Sequence, residues 1–234
     1  MAKTIQRSER LVRIPVDAIT LEGNLTIPEE ARGMVLFAHG SGSSRHSPRN
    51  RFVAQALNQA GLGTLLIDLL TSDEEAVDRD TAHLRFDIEL LAGRLVTAID
   101  WLADSRETNA LPIGCFGAST GAAAALVAAA ARPEVVHAVV SRGGRPDLAG
   151  SALAVVRAPT LLIVGGRDAP VIALNRQALA ALQTEEKEMT IVPDATHLFE
   201  EPGTLEDVAD LAAVWFTRYL SQLATTHRTQ EAEP

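Results

Sequence analysis

Apolar and polar positions along the chain change period several times, and the changes divide it into short segments. Leu11, Val12, Ile14 and Val16 open an apolar stretch. Ile19, Leu21, Leu25 and Ile27 form a second, with Gly23-Asn24 inside it. The two predict a leading antiparallel pair of strands. Met34–Ala38 and Thr64–Ile67 are continuously apolar or nearly so, as strands buried on both faces should be. Between them, Pro48–Ala60 predicts a helix, with Ser47 as N-cap, Pro48 at the first position and Gly61 as its stop. Thr71–Asp80 is acidic and reads as a surface loop. Leu84, Ile88, Leu91, Leu95, Ile99 and Leu102 fall at helical spacing and predict one long amphipathic helix over Leu84–Ala103.

The second half repeats the alternation. Strands are expected at Pro112–Phe116, Val135–Val140, Thr160–Val164 and Met189–Val192, and helices at Ser119–Ala131, Val171–Leu182 and Thr204–Leu223. Strands alternating with helices from Met34 onward call for an α/β fold: a mostly parallel sheet covered by helices on both faces. No repeat or linker interrupts the 234 residues, so one domain is expected, with loose polar ends at residues 1–10 and 224–234. Sheets of this kind bind ligands outside the carboxyl ends of their strands. Reactive residue types at those ends are therefore the ones to examine.

Gly117-Ala118-Ser119-Thr120-Gly121 joins a strand to a helix and has the Gly-x-Ser-x-Gly pattern of a nucleophile elbow. A serine there must stand on a strained turn, and its neighbours must be tiny because strand and helix approach closely. The bland reading, a serine that merely caps a helix, is weakened by the apolar strand before it and the alanine run after it. Asp168 follows a buried strand through Gly165-Gly166-Arg167, and His197 lies in the loop after the next strand. The chain order Ser119, Asp168, His197 is that of a nucleophile, orienting acid and base on such a sheet. Asp194 is the rival acid, but it shares a loop with His197.

The strand Met34–Ala38 runs into His39-Gly40-Ser41-Gly42. That loop and the residue after the serine should supply an oxyanion hole, from the backbone N–H groups of Ser41 and Thr120. His39 reads as a structural side chain that holds the loop. Gly40-x-Gly42 followed by Asp68 also invites a dinucleotide-binding reading. The third glycine of that fingerprint falls at Arg45, however, and the reading leaves the triad unexplained.

A formal net charge of -9 argues against a broad nucleic-acid surface. The single cysteine, Cys115, excludes an internal disulfide. Met1–Arg10 has no apolar core of a secretory signal, and the longest apolar stretch, Ala122–Ala131, is too short to span a membrane. A cytoplasmic protein that needs no metal or organic cofactor is expected, with a small-molecule ester as its partner and a homodimer left open. Arg45 and Arg49 flank the oxyanion loop, and Arg142 and Arg145 follow a strand end. Arg142, with Arg45, is a candidate for binding anionic substrates through the planar guanidinium fork. The competing reading pairs these arginines with the chain's many acids.

These residues resemble the α/β-hydrolase superfamily and, within it, the dienelactone hydrolase-like group, over roughly Leu11 to Leu223. The resemblance implies an eight-stranded, mostly parallel sheet whose second strand is antiparallel, and a Ser or Cys nucleophile with Asp and His. Dienelactone hydrolases themselves use cysteine where this chain has Ser119. Cys115 is no substitute, since it precedes the elbow and should be buried in the strand. Only Ser141–Ala158 separates two strands where many relatives insert a lid, which leaves room for a short helix, no cap domain and an open site. The expected activity is ester hydrolysis. A thioesterase or peptidase with the same triad, or a non-catalytic binding protein on this scaffold, are the alternatives.

Overall fold

The computed structural model describes residues 9–230, and the side chains of residues 9–221. Eight strands form one sheet: β1 (Arg10–Val16), β2 (Ile19–Thr26), β3 (Met34–Ala38), β4 (Gly63–Ile67), β5 (Ile113–Ala118), β6 (Val136–Arg142), β7 (Thr160–Gly165) and β8 (Lys187–Val192). Their order across the sheet is β1-β2-β4-β3-β5-β6-β7-β8. The β1–β2 hairpin is antiparallel, and β2 pairs antiparallel with β4; every other pairing is parallel. The central strands β3, β4, β5 and β7 are buried along their whole length. This is why their sequences read as unbroken apolar runs.

Among the described residues, six α-helices flank the sheet or its rim: α1 (Pro48–Gln59), α2 (Ser72–Thr81), α3 (Ile88–Asp104), α4 (Thr120–Ala131), α5 (Ala169–Ala181) and α6 (Thr204–Gln230). Two cores result. On one face, α3 and α4 pack Leu91, Leu95, Ile99, Ala124 and Ala128 against the sheet. On the other, α1 and α6 contribute Val53, Leu57, Val208, Ala212 and Phe216, around the mutually tilted rings of Phe37 and Phe116. The tiny side chains of α4 let it sit close to the strand it leaves. No helix among the described residues is long and apolar enough to cross a membrane.

Three local expectations are corrected. Thr71–Asp80 is a helix, α2, not a loop. Its N-terminus is closed by a capping box: the Glu74 N–H donates to Thr71 Oγ1, and the Thr71 N–H to Glu74 Oε2. The single helix expected over Leu84–Ala103 is interrupted. A 3-10 turn at Leu84–Phe86 ends at Asp87, whose carboxylate accepts from the Leu90 N–H and starts α3 afresh. The short helix expected between β6 and β7 is a 3-10 segment, Pro146–Val155, kinked at Gly150. No cap domain interrupts the fold. The final helix continues past Leu223 to Gln230. Of the ends expected to be loose, residues 1–8 and 231–234 lie outside the described residues.

Candidate active site

The elbow between β5 and α4 is built from the smallness of its neighbours. A Cβ on Gly117 would fall 2.4 Å from the Ala122 Cα, and one on Gly121 would fall 2.3 Å from the Ala38 carbonyl oxygen. Neither position tolerates a side chain. Ser119 sits between them at φ 51, ψ -123, a conformation that L-residues rarely adopt. Its backbone is tied to the loop after β6: the Ser119 N–H donates to the Arg142 carbonyl at 3.3 Å, and the Arg145 N–H to the Ser119 carbonyl at 3.0 Å. Ser119 makes no side-chain cap on the helix it begins, contrary to the bland reading.

The acid and histidine loops are held together by backbone bonds. The Gly166 N–H donates to the Val192 carbonyl and the Arg167 N–H to the Ala195 carbonyl. A Cβ at Gly165 would collide with the Ala195 and Thr196 carbonyls, so glycine is needed where the loops touch. The carboxylate of Asp168 caps no helix. Instead, its Oδ2 lies 2.7 Å from His197 Nδ1. The rival, Asp194, is paired with Arg167 at 2.9 Å on the surface. Ser119 and His197 line one cavity of about 210 Å³, together with Gly40, Ser41, Ser43, Ser47, Arg49, Asn50, Arg142 and Gly143. Gly143, at φ 50, closes the gap beside the imidazole: a Cβ there would sit 3.0 Å from the His197 carbonyl oxygen. The structure thus brings Ser119, Asp168 and His197 to one rim of the sheet.

Ser41 and Thr120 meet across the loops after β3 and β5, with Ser41 Oγ and Thr120 Oγ1 3.0 Å apart. Gly40 presses against the serine so closely that a Cβ would fall 2.8 Å from the Ser119 Cβ. His39 is buried and structural. Its Nε2 accepts from the Leu69 N–H at 2.9 Å, so its Nδ1 carries the proton and donates to the Gly40 carbonyl at 2.9 Å. Burial lowers its pKa and keeps the ring neutral. Cys115 is buried in β5, and burial pushes its thiol up to about 12.

The two candidate substrate arginines separate. Arg45 is consumed by acids: it pairs with Asp68 and, at 2.8 Å, with Glu22, and does not line the cavity of Ser119. Its expected place in substrate binding is corrected on this ground. Arg142 lines the cavity, is 7% exposed, and has no carboxylate partner among the described residues. Its contacts are Asn50 Oδ1 at 3.4 Å and the face of Phe199 at 5.9 Å, and its Nε is buried without a partner. Burial, and then the charge of Arg49, pull its pKa down to about 10. Arg49 pairs with Glu200 at 3.0 Å, while its own Nε is buried and unpartnered. Arg145 pairs with Asp147. Asn50 and Gly143 gave no signal in sequence, since neither lies in a recognisable pattern. No cluster of His, Cys, Asp or Glu among the described residues is placed to hold a metal.

Comparison with known proteins agrees with this fold. The profile of the dienelactone hydrolase family matches residues 21–225. A dienelactone hydrolase of Anabaena variabilis is 65% identical, covers 92% of this chain and 99% of its own, and superposes with a TM-score of 0.90. A serine hydrolase without a lid from Xanthomonas campestris shares the fold at 20% identity and a TM-score of 0.72, over 91% of this chain and 95% of its own. Among curated relatives, proteins of two Mycobacterium tuberculosis strains that carry a provisional phosphoribosyl transferase name are 59% identical over 209 residues. The match takes in 89% of this chain and 46% of those proteins, so the chain spans about half their length.

Proposed function

Starting from the dienelactone hydrolase family, to which this chain belongs, we propose that it is a serine hydrolase acting on a small carboxylic ester through Ser119, His197 and Asp168. The observation that carries the reading is the Asp168–His197 bond of 2.7 Å, which turns the imidazole of a cavity shared with a serine in elbow geometry. His197 takes the hydroxyl proton as Ser119 Oγ attacks the ester carbonyl. The tetrahedral oxyanion is received by the N–H groups of Ser41 and Thr120, the latter at the N-terminus of α4. His197 gives its proton to the departing alkoxide, leaving an acyl-serine. It then draws a proton from water, whose oxygen attacks the acyl carbon. Collapse of the second intermediate releases the acid and returns the proton to Ser119. Asp168 holds the Nδ1–H tautomer throughout.

Arg142 supports an anionic substrate. A buried guanidinium without a carboxylate is costly unless its function supplies an anion, and this one lies beside the reacting serine. Thioesters and peptides would use the same machinery. The reading leaves the transferase name of the Mycobacterium relatives to the part of those proteins outside the match. A cytoplasmic location goes with it, with which the single free cysteine is compatible.

The test is labelling by a fluorophosphonate. Wild-type protein should be labelled at Ser119 and should hydrolyse short aryl esters. Ser119→Ala should lose both, with a fall in kcat of about 10⁶-fold. Labelling that persists in Ser119→Ala would sink the reading.

A further inference from the structure

A second cavity, of about 300 Å³, lies on the far side of the oxyanion loop. It shares Gly40, Ser41 and Ser43 with the cavity of Ser119, and Thr120 lines it beside them. Leu69, Leu70 and Leu91 give it an apolar wall. Its opposite wall is α2, through Ser72, Glu75 and Arg79. Nothing in the proposed chemistry uses this space.

The wall is held at both ends. At the N-terminus of α2, the capping box orients Glu74, which pairs with Arg94 from α3; Arg94 also donates to the Leu69 carbonyl. At the C-terminal end, Asp78 accepts from the Leu84 N–H at 2.7 Å and from Arg85 Nε at 2.6 Å. Ser41 Oγ reaches the Arg85 carbonyl at 3.5 Å, which links the oxyanion loop to the same turn. The chamber is therefore preformed, as substrate sites usually are.

Its charge is balanced, Glu75 and Asp78 against Arg79 and Arg85, where the neighbouring cavity carries Arg49 and Arg142. Glu75 faces the chamber, and burial and the nearby Asp68 raise its carboxyl pKa, while Arg79 and Arg45 oppose the rise. An anion would meet acids as well as arginines here, and two arginines, Arg49 and Arg142, with no acid in the lining at the other end. Ser119 lines the arginine end, and its neighbours Gly40 and Thr120 line the chamber.

We propose that the two cavities form one bent cleft. It binds an ester with an anionic group on the Arg49–Arg142 side of Ser119 and an apolar group in the chamber beneath α2. This rests on the hydrolase reading. Residues 72 and 79 then set the size of apolar group accepted, although neither touches the reacting atoms.

Two substrate pairs test the orientation without assuming which side is acyl. One is methyl and benzyl hydrogen succinate; the other is acetyl and phenylacetyl glycolate. In one pair at least, the bulky member should exceed the small one in kcat/KM by about tenfold or more, the scale set by filling an apolar pocket. Ser72→Trp, on an exposed position of α2, should collapse that ratio by a similar factor, and Arg79→Trp serves as a second way to fill the space. Fluorophosphonate labelling of wild-type protein is run alongside. If Ser119 is labelled and the ratios are near one, or are unmoved by both variants, the bipartite cleft is wrong and the hydrolase reading stands. If Ser119 is not labelled and no ester is cleaved, both fall.

Discussion

Replacing Arg142 by methionine should make this protein more stable and less selective at once. The lowering of the Arg142 pKa to about 10, by burial and then by the charge of Arg49, reflects how poorly the fold tolerates the charge. It corresponds to about 3 kcal/mol against the protonated form. The sign follows from linkage. A cation whose pKa is lower in the folded state carries its full penalty below that folded value, hence throughout neutral pH. The penalty fades only as pH rises above about 10. Methionine fills a similar volume and needs no hydrogen bond. Two favourable contacts would be lost with the guanidinium. The 5.9 Å approach to the Phe199 ring is worth about 1 kcal/mol at most in such offset geometry. The long bond to Asn50, at 3.4 Å, is worth about 1 kcal/mol or less. The balance is a gain of about 1–2 kcal/mol, or about 2–8 °C in Tm for a domain of this size. Urea unfolding at pH 7 and thermal melts measure it. In parallel, a non-hydrolysable dicarboxylate should raise the Tm of the wild type and not of Arg142→Met, because only the wild type has a cation for it. The kcat/KM ratio of carboxylate-bearing to neutral esters should fall by about tenfold or more. A variant that unfolds at lower urea and still responds to the anion would refute the argument and make Arg142 a structural residue.

Other residues yield narrower tests. Gly40→Ala would bring a Cβ within 2.8 Å of the Ser119 Cβ, and so should displace the hydroxyl and lower kcat by about 10²-fold. Gly42→Ala meets nothing within 4 Å but sits at φ 67, and should lose about 1 kcal/mol of stability with kcat intact. Cys115 should resist iodoacetamide until the protein is denatured, as mass spectrometry will show, since burial leaves almost no thiolate at neutral pH. His39 stays neutral in the fold while its unfolded counterpart takes up a proton near pH 6.5. Stability should therefore decline as pH falls below that value, by up to about 1.4 kcal/mol per pH unit from this group. Urea titrations across pH 5–7 should show the slope reduced by that amount in His39→Gln.

The sheet was legible because each central strand is buried on both faces and carries an apolar run that no helix pattern imitates. The candidate site was legible because Ser119 and Asp168 each follow such a run, and His197 follows the edge strand β8 beside it. Helix α2 was not. It lies at the rim, and of its ten residues only Asp78 is buried, so it has no apolar stripe to read. Its one sequence signal was Thr71-x-x-Glu74, the capping box, masked by the acidic composition that suggested a loop. Leu84 continued the apolar spacing of α3 and hid the break at Asp87, where a side-chain cap overrides the periodicity.

Arg45 and Arg142 show why sequence could nominate substrate arginines but not choose between them. Each is an arginine close to the end of a strand, in a chain with 30 acidic residues. What separates them is set by pairing across the sheet. The antiparallel register of β2 on β4 places Gly23 opposite Ile67. It also brings Glu22 beside Asp68, whose N–H donates to the Glu22 carbonyl at 3.0 Å. Arg45 lies over that acidic pair and is neutralised by it. Arg142 ends β6 opposite Ala118, where the parallel register offers it the elbow, Asn50 and an aromatic ring but no carboxylate. A guanidinium denied a carboxylate by the sheet's own register, on the residue whose carbonyl accepts from the Ser119 N–H, is the observation behind the proposal of an anionic substrate.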